Sequence, residues 1–213
     1  MTITRSMIIN GVGLTLFTIA ATAMVAFISA ATKERVAERE QQILIEKLHK
    51  LIPAAMHDNA LDRDVIELTD PLLGSNKPQF IYRARQQAQP IAAIIHSIAP
   101  HGYSGNIELL VAIHYDGTLA GVRVTHHKET PGLGDPIEEN KSRWIFQFDN
   151  KSLLNPTTEN WKVKKDHGQF DQITSATITS RAVTKAVYTT LQFYQQQRDR
   201  IFATPAMPEK PKG

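Results

Sequence analysis

The sequence begins with a long uncharged segment that constrains everything after it. From Ser6 to Thr32 the chain contains no Asp, Glu, Lys or Arg. The part from Ile8 to Ala31 is long enough to cross roughly 30 Å of hydrocarbon as an α-helix. We interpret residues 1–32 as a short N-terminal tail followed by a transmembrane anchor.

A cleaved signal peptide is the alternative interpretation, because Ser29 and Ala31 are small residues of the kind that precede a cleavage site. The apolar segment is longer than the roughly 7 to 15 residues usual in such a peptide, which favours the anchor. Charge gives no orientation, because Arg5 lies on one side of the segment while Lys33 and Arg35 lie on the other.

The rest of the chain is long enough for one modest folded domain. The whole chain has 213 residues, of which 42% are hydrophobic, and a net charge of +3. Its basic residues are spread among acidic ones, so we expect no nucleic-acid partner. The absence of cysteine excludes disulfides, thiolate metal sites and a cysteine nucleophile.

Three further segments follow the anchor. Residues 33–58 are predicted to form a helical stalk with a stop at Pro53 and apolar residues at helical spacing near its end. Residues 59–203 then form the folded domain, and residues 204–213, rich in proline and charge, form a disordered tail. The apolar stalk residues are Leu44, Leu48, Leu51 and Ile52.

The folded domain is predicted to contain an antiparallel sheet. Phe80–Arg85 and Pro90–Ile98 have strand composition, and Ile107–His127 has the alternation of a hairpin with a two-residue turn at Asp116-Gly117. That turn pairs Ile113 with Ala120, Val111 with Val122 and Leu109 with Val124. All three pairs are apolar and share a face, so the turn and the alternation agree on the register.

The segments after the hairpin give weaker signals. His126 and His127 are adjacent on a strand and point to opposite faces, so we expect no metal site there. Asp135 is predicted to cap a helix that contains Trp144, Ile145 and Phe148. Trp161–Val163 is predicted to be a short strand.

A cluster of hydroxyl side chains precedes the last predicted helix. Free amides at a helix start can hold a phosphate, and Arg181 is close enough in sequence to pair with an anion. The alternative is that Thr179 or Ser180 is an ordinary N-cap. An apolar stripe predicts that this helix packs on a core. The hydroxyl residues are Thr174, Ser175, Thr177, Thr179 and Ser180, and the stripe contains Ala182, Val183, Val187, Leu191 and Tyr194.

The same stretch resembles the acceptor motif for covalent FMN, Asp-x-x-Thr-x-Ala-Thr-x-Thr, which begins here at Asp171. In that motif the flavin phosphate is esterified to the last threonine, which corresponds to Thr179. A second segment, Glu129–Gly134, resembles the Glu-Thr-Pro-Gly-Leu-Gly loop of FMN-binding domains, and its glycines permit close approach to a flat ligand. The resemblance implies a cofactor site made of Glu129, Thr130, Pro131, Gly132, Leu133, Gly134, Ser175, Ala176, Thr177, Ile178 and Thr179.

The order of the motifs resembles the G subunits of Rnf-type (Rsx) ion-translocating electron-transport complexes of bacteria. The shared segments are Gly102–Gly105, the hairpin turn, the Glu129–Gly134 loop, Trp161-x-Val-Lys-Lys and the acceptor motif. The resemblance implies an α+β fold: one transmembrane helix, then one extracytoplasmic domain with an antiparallel sheet packed by helices. It also implies covalent FMN, a single-pass protein of the bacterial inner membrane with a periplasmic domain, partner subunits and a separate flavin transferase.

Three functions remain open on sequence alone. The first, which the resemblance favours, is an electron-carrier subunit without a catalytic activity of its own. Within this class the alternative is the C subunit of sodium-translocating NADH:quinone reductase, which has the same motifs but is usually longer. A flavin-binding sensor or regulatory ectodomain is the second, although no signalling domain accompanies it. The third is a membrane-tethered binding module in which the hydroxyls only cap a helix.

Overall fold

The computed structural model describes residues 2–205, which divide into two units between Leu44 and Ile45. Helix α1, Thr2–Leu51, contributes to both units. Its segment Met7–Lys33 is long and apolar enough to cross a membrane, and its side chains are exposed. Such exposure suits apolar side chains that contact lipid. One N-terminal apolar helix is therefore confirmed.

The predicted stalk helix is shorter than expected. Helix α1 ends at Leu51, and a short 3-10 helix, Ala54–Met56, follows. The residue before a proline is disfavoured in the α-helical conformation, which explains why the helix stops before Pro53. The predicted stop at Pro53 is therefore confirmed, whereas the extension of the predicted stalk helix to residue 58 is wrong. Within the second unit, the buried Leu48 and Leu51 at the end of α1 form part of the core.

The second unit is built on a five-stranded antiparallel sheet whose strand order follows the sequence. A long helix, α2, packs mainly against the third and fourth strands. The α+β class and the two predicted strands before the hairpin are confirmed, whereas the first strand was not predicted. The elements are β1 Val65–Leu68, β2 Gln79–Gln86, β3 Gln89–Gly102, β4 Gly105–His114, β5 Leu119–His126 and α2 Thr177–Ala203.

The predicted hairpin is formed by β4 and β5, with Val111 opposite Val122 and Leu109 opposite Val124 as expected. Ile113, however, lies opposite Leu119, so its predicted pairing with Ala120 is wrong. The turn has three residues instead of two, because His114 N bonds to Thr118 O at 2.8 Å and Gly117 adopts a φ of 93°. A register shift beside Ala112 then restores the predicted pairing.

The core lies between the sheet and α2. The predicted apolar stripe of α2 is buried or partly buried there, together with side chains of β3, β4 and β5. Thr190 Oγ1 of α2 donates to Ser97 Oγ of β3 at 2.8 Å, which adds a polar contact to this interface. Packing along the whole stripe fixes the position of the α2 N-terminus, which carries the hydroxyl motif.

Two local predictions after the hairpin are wrong. Asp135 does not cap a long helix: the chain forms two short 3-10 helices, Asp135–Ile137 and Trp144–Phe148, separated by extended backbone at Glu138. Trp161–Val163 is not a strand, because only an isolated bridge joins Val163 to Phe170. Trp161 packs instead in an aromatic cluster with Phe148, Phe170 and Tyr188.

The predicted disordered tail can be compared with the structure only at its start. Ala206–Gly213 lie outside the described residues. The expectation of disorder does not hold at Thr204, whose amide bonds to Arg200 O at 3.0 Å and whose carbonyl accepts from Arg83 at 2.5 Å.

His96 on β3 makes the sheet sensitive to acid. Its Nδ1 lies 2.6 Å from Gln79 Oε1 and its Nε2 lies 3.4 Å from Glu108 Oε2. Burial lowers the pKa of His96 below its ordinary value of 6.5, and Glu108 offsets this only in part. The folded state therefore binds this proton less tightly than the unfolded state, so stability is lost as the pH falls below 6.5.

We expect replacement of His96 by Gln to reduce the acid sensitivity of the domain. The melting temperature of the wild type should fall more between about pH 7.5 and about pH 5 than that of His96→Gln, because only the wild type must protonate this partly buried ring. Tryptophan fluorescence of the full chain in detergent measures it, since both tryptophans lie in the second unit. If the melting temperature falls equally with pH in the two proteins, His96 is not a source of the acid sensitivity.

Candidate functional site

Three segments that are distant in sequence meet at one end of the sheet. They are the β3–β4 turn, the loop that follows β5 and the first turn of α2. Together they enclose a cavity of about 390 Å³, which is in the range of small-molecule sites. The cavity is lined by Tyr103, Glu129, Thr130, Leu133, Gly134, Ser175, Ala176, Thr177, Ile178 and Thr179.

Glu129 joins the three segments. The residue is only 4% exposed. Its Oε1 accepts a hydrogen bond from Ser104 N in the β3–β4 turn at 3.0 Å, and its Oε2 accepts one from Thr179 Oγ1 in α2 at 2.5 Å. A buried carboxylate is costly unless it is hydrogen-bonded, so these two donors hold it where they meet.

Glycine is required where the chain passes closest to Glu129. A Cβ atom on Gly102 would lie 2.4 Å from Gly105 O and 2.8 Å from Glu129 Oε1, and a Cβ atom on Gly134 would lie 2.8 Å from Oε2 and 2.9 Å from Cβ of Glu129. These distances are shorter than side chains tolerate. The Gly134 position was expected to allow approach of a flat ligand; in the structure it also makes room for the Glu129 carboxylate.

The loop around Glu129 is held by its own hydrogen bonds. The amides of Leu133 and Gly134 both donate to Thr130 O, at 3.1 and 3.0 Å, and Gly132 N donates to the Asp135 carboxylate at 2.6 Å. A further bond, from Ser175 Oγ to Leu133 O at 3.1 Å, ties the loop to the hydroxyl motif. The loop and the motif thus form one structure, although more than forty residues separate them in sequence.

Thr179 is fully buried and is not an N-cap. Helix α2 begins at Thr177, its N-cap position is Ala176, and no side chain caps it. The alternative that Thr179 or Ser180 caps the helix is therefore wrong. Ser180 bonds locally instead, accepting from Ile173 N at 3.0 Å and donating to Ala176 O at 2.9 Å.

Most of the predicted cofactor residues line the cavity. The exceptions are Pro131 and Gly132, which are exposed and do not line it. Tyr103 was not predicted as a site residue, although its segment carried part of the resemblance. It is 70% exposed and, with Leu133 and Ile178, it gives the cavity an exposed apolar rim. A tyrosine between two glycines in a tight turn was the available signal.

Arg181 does not face this cavity, so the expectation that it pairs with an anion there is wrong. Its guanidinium makes a two-point contact with the Asp166 carboxylate, at 2.6 and 2.5 Å, which raises the pKa of Arg181 and lowers that of Asp166. It lines a separate, open cavity with Trp161 and Lys185. The ten described residues around the first cavity include one carboxylate and no lysine or arginine.

Two protein-family models match separate parts of the chain. A model described as FMN-binding domain matches residues 102–192, and one described as RnfG N-terminal region matches residues 1–51. The first match contains every segment that lines the cavity.

Three full-length relatives show extensive sequence identity, and each is named as the G subunit of an ion-translocating oxidoreductase complex. The protein of Pseudoalteromonas atlantica is 46% identical, over 91% of this chain and 91% of its own length. That of Shewanella baltica is 44% identical over 93% and 94%, and that of Pseudomonas aeruginosa is 43% identical over 98% and 96%.

Two solved structures are similar at a lower level. NqrC of Shewanella oneidensis is 20% identical with a TM-score of 0.47, covering 71% of this chain and 74% of that one. The C subunit of the Na(+)-translocating NADH-quinone reductase of Parabacteroides distasonis is 18% identical with a TM-score of 0.45, covering 67% and 78%. At these values the similarity supports no functional inference.

Proposed function

This chain belongs to the family of ion-translocating oxidoreductase complex G subunits, and from that membership we propose that it is a membrane-anchored electron-transfer subunit whose FMN is esterified to Thr179. The FMN-binding domain supports FMN as the cofactor. The phosphoester, the attachment residue and the orientation in the membrane are the further steps of the proposal.

The observation that carries the proposal is that Thr179 is one of the residues that line the cavity. Thr179 lies in the first turn of α2, and the cavity around it is formed entirely by segments of the FMN-binding domain. The rim is apolar and exposed, as a planar isoalloxazine ring requires, and the polar groups converge at Thr179. We therefore propose that the ring lies against the Glu129–Gly134 loop and that the phosphate lies at the helix start.

The start of α2 offers donors to a phosphate. The first bond from an amide to the carbonyl four residues earlier runs from Ser180 N to Ala176 O at 3.0 Å, so the amides of Thr177, Ile178 and Thr179 precede it. Such amides and the positive end of the helix dipole stabilise an anion. These amides compensate in part for the absence of a basic side chain among the described lining residues.

The proposed role needs a cofactor that exchanges electrons and a protein that holds it. When bound, FMN supplies one- and two-electron redox chemistry; the chain supplies the pocket, its polarity and the exposed rim from which an electron leaves. Tyr103, Leu133 and Ile178 at that rim are exposed in the isolated chain. We propose that other subunits of the complex contact this rim and exchange electrons with the flavin.

The proposed location is the bacterial inner membrane, with the FMN-binding domain in the periplasm. The apolar segment Met7–Lys33 supports single-pass anchoring. We propose the periplasmic side together with the phosphoester, because a cofactor that is tethered to the chain is not lost where free FMN is scarce. A separate flavin transferase is then the maturation partner.

The proposed function is tested on the full chain produced with and without a flavin transferase. With the transferase, we expect intact-mass measurement to find one FMN, less water, per chain, and denaturing gels to show ultraviolet fluorescence in the protein band. Flavin that is present but lost on denaturation would contradict the ester. A chain that binds no flavin under either condition would contradict the function itself.

A further inference from the structure

The contact between Glu129 and Thr179 suggests a role for this chain in its own maturation. We propose that Glu129 is the general base of flavin attachment: it orients the Thr179 hydroxyl and takes its proton when the phosphoester forms. This inference rests on the proposed function, because it requires Thr179 to be the attachment residue.

The geometry is that of a base already bonded to the group that it must deprotonate. Thr179 Oγ1 donates to Glu129 Oε2 at 2.5 Å, within the reach that a general base needs. Both residues are buried, with Thr179 at 0% and Glu129 at 4% exposure, so water competes little for either partner. An uncharged threonine hydroxyl is a weak nucleophile, and an adjacent base is a usual means of activating it.

The carboxylate is fixed in place from both of its oxygens and through its backbone. Ser104 N occupies Oε1, which leaves Oε2 for the hydroxyl. The Glu129 amide donates to His127 Nδ1 at 3.0 Å, so the proton of that ring lies on Nε2 and is donated to Glu138 at 2.8 Å. Positioning of this kind is what general-base catalysis requires.

The bond changes balance with a flavin donor whose phosphate carries a leaving group, such as a flavin dinucleotide. Thr179 Oγ1 forms the bond to the phosphorus of the flavin mononucleotide part. Its own O–H bond breaks, and the proton passes to Glu129 Oε2. The bond from that phosphorus to the leaving group breaks, and the nucleoside monophosphate departs with the electron pair. Nothing is oxidised or reduced.

The charge of the cavity gives a reason for the transferred proton to remain on Glu129. The described lining residues include no lysine or arginine, and Glu129 is their one carboxylate. A phosphodiester anion on Thr179 beside an ionised Glu129 would place two negative charges together in a buried site, which is unfavourable. A neutral Glu129 avoids this repulsion and has a proton to donate.

The same contact explains why one hydroxyl of five is selected. Among the described donors of the cluster, only Thr179 bonds to a carboxylate: Ser175 Oγ donates to the Leu133 carbonyl, and Ser180 Oγ donates to the Ala176 carbonyl. A carbonyl oxygen is not basic enough to accept a proton. The position of Glu129 therefore explains why Thr179, and no other hydroxyl of the motif, receives the flavin. The sequence of the motif is not the sole reason.

The test is the rate at which purified full chain, in detergent, accepts FMN from a flavin transferase and flavin adenine dinucleotide. Glu129→Gln keeps the size of the side chain and an oxygen that can accept from Ser104 N, but it replaces the basic oxygen at Thr179 with an amide nitrogen, which donates and cannot accept a proton. We expect the initial rate, followed by intact mass, to fall roughly 100-fold or more.

Two controls separate this role from folding and from the proposed function. Asp149→Asn makes the same carboxylate-to-amide change at a half-buried residue outside the cavity and should leave the rate within about twofold of wild type. Tryptophan fluorescence melting reports whether Glu129→Gln is folded.

The possible outcomes are distinct. A folded Glu129→Gln chain that accepts FMN at the wild-type rate, while Thr179→Ala accepts none, would overturn the role of Glu129 and leave the proposed function intact. If the wild type accepts no FMN, or if Thr179→Ala accepts it normally, the proposed function fails and this inference fails with it.

Discussion

Replacement of Thr179 by Ala is expected to abolish covalent FMN. Its hydroxyl is the proposed attachment atom, and none of the other hydroxyls in the motif bonds to a carboxylate in the structure. The full chain produced with a flavin transferase should therefore have the unmodified mass and show no fluorescent band on a denaturing gel. An assembled complex that contains this variant should lose electron flow through the subunit.

The loss of stability in Thr179→Ala comes from the broken hydrogen bond to Glu129 and not from a lost helix cap. Thr179 caps nothing, but its removal leaves one oxygen of a buried carboxylate without its partner. We expect a loss of about 1 to 3 kcal/mol, compared with about 1 kcal/mol for an N-cap. The domain should still fold, and tryptophan fluorescence melting of the full chain measures the difference.

Single substitutions at neighbouring hydroxyls provide the matched controls. Thr179→Ser keeps a hydroxyl at the same place and should still receive FMN. Ser175→Ala and Thr177→Ala remove cavity hydroxyls that do not contact Glu129 and should also be modified. A Thr179→Ala chain that still carries the FMN mass would show that another hydroxyl is the acceptor.

The features that sequence alone predicted are those set by local patterns. The anchor follows from a single uncharged segment, and the pairing of Val111 with Val122 follows from alternation on two adjacent strands. Even there the predicted turn was one residue too short. The extra residue of the three-residue turn at Tyr115–Gly117 is offset by the register shift beside Ala112, so the pairs beyond the shift are those predicted. Apolar alternation cannot distinguish a two-residue turn from a three-residue turn followed by a register shift, because both give the same pairs.

The features that sequence missed depend on contacts between distant segments. Glu129 was assigned to a cofactor loop, but nothing local indicated that its carboxylate would meet the hydroxyl of Thr179. Arg181 appeared free to bind an anion because its partner, Asp166, lies in a turn that pattern alone does not place beside α2. Side-chain partners of this kind are fixed only when the core brings the elements together.

Arg83 is the clearest such case, because it is a charged residue on a central strand that sequence patterns would place at the surface. It is 1% exposed. Its guanidinium donates to the carbonyls of Ile201 and Thr204 at 2.8 and 2.5 Å, and it forms an ion pair with Asp64. Arg85 binds the other oxygen of the Asp64 carboxylate at 2.7 Å.

These contacts join β2 to the end of α2. The last carbonyls of a helix have no partner within it, and cations there also offset the negative end of the helix dipole. Arg83 satisfies two such carbonyls, and Arg85 donates to a third, that of Phe202, at 3.1 Å. Asp64 is the carboxylate that balances both arginines, so its charge makes the burial of Arg83 possible.

We therefore expect Asp64→Asn to destabilise the domain strongly. Breaking a buried ion pair leaves an uncompensated charge, which costs about 3 to 5 kcal/mol. Asp64 is 17% exposed and water can reach it in part, so we expect the lower end of this range. In a domain of this size the melting temperature should fall by roughly 6 to 12 °C.

The matched control is Asp199→Asn, the same substitution in a pair with Arg198 whose carboxylate is 89% exposed. An exposed pair contributes at most about 1 kcal/mol, so this variant should melt within a few degrees of wild type. Both are measured by tryptophan fluorescence on the full chain in detergent, before flavin attachment, so that cofactor binding does not mask the difference. If Asp64→Asn and Asp199→Asn have the same melting temperature, the buried ion pair does not stabilise the end of α2. The hydrogen bonds from Arg83 to the helix carbonyls would then be enough to hold it.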